Sequence, residues 1–193
     1  MDFIMTTKIG YDKENVIMVE GANTVGDQQE TFKDELVKMS KVSGVTISQY
    51  FPVDGTKRDQ NQFWRDGKSQ EEQSIGAQIW YVDEDYLQTM GMKLVAGRNF
   101  MKELASDSQA VIINQAMAKA FGFEKPVGER IMNWEPYNII GVVEDFHWEN
   151  MKGEIKPLCF VRGGWGNIMS VRVDAADTQG TLECITNLWN RFM

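Results

Sequence analysis

The residues Asp85-Tyr86-Leu87-Gln88-Thr89-Met90-Gly91, then Lys93-Leu94-Val95-Ala96-Gly97-Arg98, then Ala110-Val111-Ile112-Ile113-Asn114, decide the fold. Asp83 can cap a short helix that carries Tyr86, Leu87 and Met90 and stops at Gly91, the usual polar start and glycine stop. Residues 93–98 read as a strand. The run 110–113 has no polar alternation, the pattern of a strand buried on both faces. Asn114 can cap a second short helix bearing Met117, Ala120 and Phe121, stopped by Gly122. Glu129–Met132 and Tyr137–Val143 follow as strands. Upstream, Gln62–Asp66 is a strand, Asp66-Gly67-Lys68 suits a tight hairpin, and Glu72–Tyr81 is its expected return. This middle is rich in strands and poor in helix.

Working outward, the flanks change style. Residues 15–22 form a short apolar strand. Asp27 and Glu30 have capping-box spacing, and Phe32, Leu36 and Met39 follow at helical spacing. Val45–Tyr50 alternates as a second strand, so the start reads β-α-β. The end echoes it: Pro157–Val161 and Ile168–Val173 are strands around the turn Gly163-Gly164. Asp177 or Thr178 then caps a helix with Leu182, Ile185, Leu188, Trp189 and Phe192. That helix ends where a β-α-β unit takes its last strand, so a strand beyond it is expected. The polar stretch Pro52–Gln60, with its Asp54-Gly55 turn signal, separates the two styles. The expected class is α+β. Residues 1–53 and 154–193 form one α/β subdomain, and residues 54–153 form an inserted β-rich subdomain.

Composition excludes several functions. Of 193 residues, 28 are acidic and 20 basic, for a net charge of −8, whereas a duplex-binding surface needs excess cations to displace counterions. Nucleic acid is not an expected partner, and an anionic membrane surface would repel the domain. No stretch approaches the ~20 apolar residues of a membrane span. The first six residues lack the basic and apolar regions of a signal peptide, so targeting would come from a longer protein. His147 is the sole histidine, thin for a zinc site or a catalytic triad, and no G-x-S-x-G presents a serine. Gly163-Gly164-Trp165-Gly166 has neither the spacing nor the lysine of a phosphate loop. The pairs Asp83/Asp85 and Glu144/Asp145 read as caps or solvated charges, not as paired acids. No cofactor, metal or catalytic residue is expected. Cys159 and Cys184 are either two small packing residues or a strand-to-helix disulfide, which needs an oxidising compartment. Trp134, Trp148 and Trp165 lie beside turns, where a tryptophan is more readily exposed.

Five ordered segments resemble one family. Asp85-Tyr86-Leu87 through Gly91-Met92-Lys93-Leu94 is similar to the "D-Y-F-x-x-x-G-M-x-L" segment of the MacB-like periplasmic core domain. Gly97-Arg98-Asn99-Phe100 resembles its "G-R-x-F", and the stretch around Asn114-Gln115-Ala116 its "V-V-x-N-E-A-A-A". Phe121-Gly122 with Pro126-Val127-Gly128 looks like "F-G-x-x-P-I-G", and Ile140-Gly141-Val142-Val143 to Asp145-Phe146-His147 like "V-I-G-V-V-K-D-F-H". Residues 3–13 are similar to the juncture after a transmembrane helix in such permeases of Bacteroidetes-like bacteria. The resemblance implies a porter-like α/β subdomain built from both ends and an inserted, β-rich, sabre-like subdomain. It implies the periplasmic face of the bacterial inner membrane, in an ABC-transporter permease of the FtsX/MacB type. It further implies mechanotransmission, in which a cytoplasmic ATP-binding subunit drives export or lipoprotein release. The implied partners are the permease's own transmembrane helices, a second protomer, and a periplasmic adaptor or lipoprotein chaperone. The motif residues then read as caps, turns and strand ends. The competing class is a stand-alone periplasmic binding or adaptor protein with a cleft between subdomains.

Overall fold

The computed structural model describes residues 15–52, 60–68, 74–147, 154–163 and 166–193. The juncture at residues 3–13, the Asp54-Gly55 turn, Trp148 and Trp165 lie outside them. In chain order the elements are β1 (Val16–Glu20), α1 (Gln29–Val37), β2 (Val42–Ser48), β3 (Gln60–Arg65), β4 (Ile75–Val82), α2 (Tyr86–Thr89) and β5 (Leu94–Gly97). They continue as β6 (Ala110–Asn114), α3 (Gln115–Ala120), β7 (Arg130–Asn133), β8 (Glu135–Val143), β9 (Leu158–Arg162), β10 (Ile168–Val173) and α4 (Thr178–Phe192). The helix and strand content is the mixed α+β expected.

Two compact units divide the chain. The α/β unit takes residues 13–51, 81–90 and 162–193. Its strand β10 lies between β1 and β2 and runs antiparallel to both, so β1 and β2 are parallel and α1 is their crossover. The apolar stripe of α1 and the inward residues of the sheet form one core from Phe32, Leu36, Val45, Ile47, Met169, Val171 and Ile185. Phe32 is fully buried and meets Trp189 and Phe192 of α4 edge-to-face, with centroids 5.4 and 5.1 Å away, an arrangement aromatic quadrupoles favour. Both helices therefore cover the same face of the sheet.

The start of α1 departs from expectation. Asp27 is not its cap: a 3-10 turn spans Ala22–Gln28, Gly26 breaks it at φ 58°, and the cap position falls to Gln28, whose side chain makes no capping bond. At the other end, Asp174 accepts from the Ala176 amide at 3.0 Å and opens the turn that leads into α4, in the role expected of Asp177 or Thr178.

The β-rich unit takes residues 52–80 and 91–161. Its strands follow the order β4-β3-β7-β8-β6-β9, and β9 pairs back onto β4, as in the Gln78 amide donating to the Pro157 carbonyl at 3.0 Å. The ladder is closed, which removes the exposed edges on which sheets aggregate. All five residues of β6 are buried, and it pairs parallel with β8 and antiparallel with β9. Trp80, Phe146 and Phe160 form a fully buried aromatic trio with centroids 5.8–6.1 Å apart.

Two boundaries and one turn differ from the sequence reading. Residues 81–90 group with the terminal segments, because Ser48 pairs with Val82 and the Asp83 amide donates to the Ile47 carbonyl at 3.1 Å. Residues 154–161 group with the insert, because Val161, Phe160 and Cys159 pair with β6. The Asp66-Gly67 turn exists, with the Lys68 amide on the Arg65 carbonyl at 3.1 Å. It lies between the antiparallel partners β3 and β4 but does not close a tight hairpin, since their pairing ends at Phe63 and Ile75 while Trp64 and Arg65 pair with β7.

Candidate functional site

Within the α/β unit, polar chemistry gathers where β4 ends. Lys33, on the buried face of α1, has 6% of its side chain exposed and lies 2.7 Å from Asp83 and 2.6 Å from Asp85. Asp83 is 4% exposed and accepts four donors: Lys33 Nζ, Thr46 Oγ1, the Ile47 amide at 2.7 Å and the Asp85 amide at 3.2 Å. Only an ionised carboxylate offers enough lone pairs for that set. Burial pushes the Asp83 carboxyl up from its ordinary value, and Lys33 with the hydrogen bonds pulls it back. Burial works against the Lys33 ammonium too, but Asp83 and Asp85 outweigh it and hold Lys33 above the usual lysine value.

Asp83 is thus a buried counter-ion, not the solvated cap expected of it. Asp85, half exposed, occupies the cap position of α2 with no capping bond from its side chain. Tyr86 is fully buried behind it. Lys33 was missed because lysine is read as solvent-facing. The legible signal was its place among Gln29, Phe32 and Leu36, all buried on one helix face.

The remaining motif residues, from Gly91 just after α2 onward, lie in the β-rich unit. Arg98 grips Asp107 with two bonds, Nη1 at 2.9 Å and Nη2 at 2.7 Å, and this raises the guanidinium pKa further. Asp107 is 1% exposed and also accepts the Met101 amide at 2.8 Å. Phe100 is buried beside it. We expect Asp107→Asn to lower stability by about 2 kcal/mol, because hydrogen bonds to a charged group are each worth about 1.5–3 kcal/mol and the exposed Arg98 can be resolvated. Urea midpoints at unchanged slope would measure it, and an unaltered midpoint would exclude a structural role for the pair.

Asn114 does what its position predicts and more. It caps α3 by accepting from Met117, accepts from Leu158, and donates to the Lys156 carbonyl, all at 3.0 Å. Asp145 accepts the Ala116 amide at 2.8 Å, and partial burial pushes its carboxyl up. Phe146 belongs to the aromatic trio, and His147 follows it, half-buried, in the irregular stretch after β8. Gly122, Pro126 and Gly128 occupy the turns between α3 and β7. Among the described residues, no group of three or more His, Cys, Asp and Glu side chains could hold a metal ion. No helix among them is long and apolar enough to cross a membrane.

Both cysteines are free thiols, Cys159 buried in β9 and Cys184 exposed on α4. Burial pushes the Cys159 thiol far up, and the thiolate is the reactive form. A thiol reagent is therefore expected to modify one cysteine per native chain and two after denaturation. Two fast-reacting thiols in the native protein would contradict this packing.

These geometries tie together corners, caps and close strand crossings, and they leave no assembled nucleophile, base or ligand set among the motif residues. The family model of the MacB-like periplasmic core domain matches residues 4–179. The chain belongs to that family. MacB-like periplasmic core domains are the periplasmic domains of ABC-transporter permeases, which work with ATP-binding subunits and are not themselves catalytic.

Solved structures agree on the fold. The periplasmic region of MacB from Actinobacillus actinomycetemcomitans is 19% identical, with a TM-score of 0.65 over 95% of this chain and 85% of that one. A permease-protein domain from Porphyromonas gingivalis is 15% identical, at 0.58 over 91% and 70%. The extracellular domain of the transporter YknZ from Gram-positive bacteria is 17% identical, at 0.57 over 79% and 76%. No curated protein matches the sequence. MacB-like domains combine a porter-like fold with a sabre-like subdomain, the α+β architecture read from the sequence.

Proposed function

We propose that this domain transmits movement. A cytoplasmic ATP-binding subunit would drive it through the permease's own transmembrane helices, in a pair with a second protomer. The moving domain would act on a substrate, or on a periplasmic adaptor or lipoprotein chaperone, at the periplasmic face of the bacterial inner membrane. The α/β unit serves as the porter-like part and the β-rich unit as the sabre-like part. Residues Asp85 to His147 of the five motifs act as scaffold within them.

The family match over residues 4–179 carries this reading. The geometry supports it, because a coupler needs stiff parts more than a cleft with perturbed acids. The α/β unit has a fixed ionic corner, and the β-rich unit has a closed strand ladder.

Cys184 offers a direct test, being exposed where Cys159 is buried. A spin label on Cys184 of the full-length permease, assembled with its ATP-binding subunit in nanodiscs, reports the distance between protomers. Mechanotransmission predicts different distance distributions in the nucleotide-free and vanadate-trapped states. Identical distributions, with ATP hydrolysis intact, would refute it.

A further inference from the structure

One cavity of the α/β unit is lined by side-chain amides. It holds about 340 Å3 and is bounded by Asn23, Gly26, Gln29, Gln49, Gly166 and Asn167. Asn23 and Gly26 belong to the 3-10 turn before α1, and Gln29 opens α1. Gln49 follows β2, while Gly166 and Asn167 precede β10. Four carboxamides from three stretches of chain thus converge on one space. Among the six lining residues there is neither an ionised group nor an aromatic ring.

The floor is fixed and the rim is open. Gln29, 8% exposed, donates from Nε2 to the Gly166 carbonyl at 2.7 Å. Gly166 lies so close to β2 that a Cβ on it would sit 2.3 Å from the Ser48 carbonyl oxygen. The Ala22 amide on the Asn167 carbonyl and the Gln49 amide on the Tyr81 carbonyl, both at 3.0 Å, pin the walls. Asn23, Gly26 and Asn167 are exposed and form the rim. A Cβ at Gly26 would meet nothing within 4 Å.

One polar atom of this cavity wall is unaccounted for. Gln49 Oε1 is buried with no hydrogen-bond partner among the described residues, and an orphaned acceptor is costly. The last torsion of a glutamine is soft, so a turn of the carboxamide presents this oxygen to a donor in the cavity. A bridging water needs only about 30 Å3, and the space is many times larger, at the lower end of ligand sites.

The lining names the chemistry of the occupant. A carboxamide offers a carbonyl acceptor and N–H donors in one plane, as a peptide group does, and pairs with a peptide group through two parallel hydrogen bonds. An ion would find no counter-charge among the lining residues, and an unpaired charge resists leaving water. A sugar ring would find no aromatic face to lie on. We propose that this cavity binds the main chain of a short, neutral, extended peptide segment, held by its amides and carbonyls. The inference goes beyond the transmission of movement and stands or falls apart from it, since binding alone decides.

The test follows the side-chain amide signals of the 193-residue chain by NMR. Acetylated and amidated tetrapeptides of Ala, Ser and Val are added up to about 10 mM, the weak end of specific binding. Saturable shifts are expected at Asn23, Gln29, Gln49 and Asn167, with Asn99 and Asn114 of the β-rich unit unmoved. Gln49→Leu should weaken binding about tenfold. N-methylation of the peptide amides, which removes the donors, should weaken it at least as much. If Gln49→Leu does not fold, Asn23→Ala with Asn167→Ala on the exposed rim gives the same reading, and the N-methylated peptide needs no variant. Absence of saturable shifts overturns the proposal, as does equal binding of the N-methylated peptide or unchanged affinity in the folded variants. Binding that requires free, charged peptide ends also overturns it. So does methyl glucoside moving the four signals where the peptides do not, which would assign the cavity to hydroxyl ligands.

Discussion

Lys33→Met is expected to cost about 3–5 kcal/mol, the range for removing one partner of a buried ion pair. Methionine keeps the length and apolar stem, so the cavity contribution is small. What remains is Asp83, 4% exposed, with its negative charge no longer compensated. Thr46 and the Ile47 amide still donate to it, but neutral donors do not offset the desolvation of a carboxylate. The folded variant therefore holds a proton on Asp83 more tightly than the unfolded chain does. Its stability should rise as the pH falls from 7 toward the unfolded carboxyl value near 3.9.

In the native protein both groups have raised folded values, from 3.8 for Asp83 and 10.5 for Lys33. Their contribution is present at low pH. Asp83's share is lost as pH rises from 3.8 through its folded value, and Lys33's only above 10.5. Denaturant titrations across pH 4–8 check the variant. A cost below about 1 kcal/mol would place the pair in the class of exposed salt bridges. The double variant Lys33→Met, Asp83→Asn should recover part of the loss, since no unpaired buried charge survives.

Gly97→Ala is expected to be at least as damaging, about 4 kcal/mol or more, because backbone strain and a backbone clash combine. Gly97 has φ +74°, and a Cβ there would sit 2.1 Å from the Ile140 carbonyl oxygen and 2.8 Å from the Gly141 Cα. Both obstacles are main chain in a paired strand and cannot swing aside. The closeness is mutual: Gly97 and Gly141 are register partners in β5 and β8, and a Cβ on Gly141 would meet the Arg98 carbonyl oxygen at 2.6 Å. Gly122→Ala is the control, with positive φ but nothing within 4 Å, and should cost only about 1 kcal/mol. Thermal melts of the two variants separate strain from collision. Equal losses would mean that β5 and β8 are less closely packed than described.

Local signals proved legible wherever one residue type does one backbone job. Gly91 and Gly122 end their helices with left-handed φ, Asn114 caps, and the unbroken run 110–113 is a strand buried on both faces. Signals failed where the outcome depends on a distant segment. Asp27 had the spacing of a cap, but Gly26 turned the backbone before it. Asp83 looked solvated because the lysine that neutralises it lies fifty positions earlier. The passage of residues 81–90 into the α/β unit rests on pairing with β2, and that of 154–161 into the β-rich unit on pairing with β6. Apolar runs carry no mark of which strand they will join. The five family segments were readable as a pattern, yet Asp85 and Tyr86 serve one unit and Gly97 to His147 the other.

The closed ladder of the β-rich unit sets an order on its folding. Neighbours β7 and β8 can zip soon after they appear, as can β3 with β4. The seam between β4 and β9 joins residues 75–82 to residues 158–162, and so must wait for almost all of the intervening chain. Trp80 stands on one side of that seam and Phe160 on the other. Until it shuts, the aromatic trio stays wet, and contacts of such long range are the slow ones. Folding of this unit is therefore expected to end in one late step, with tryptophan burial arriving after most of the strand signal.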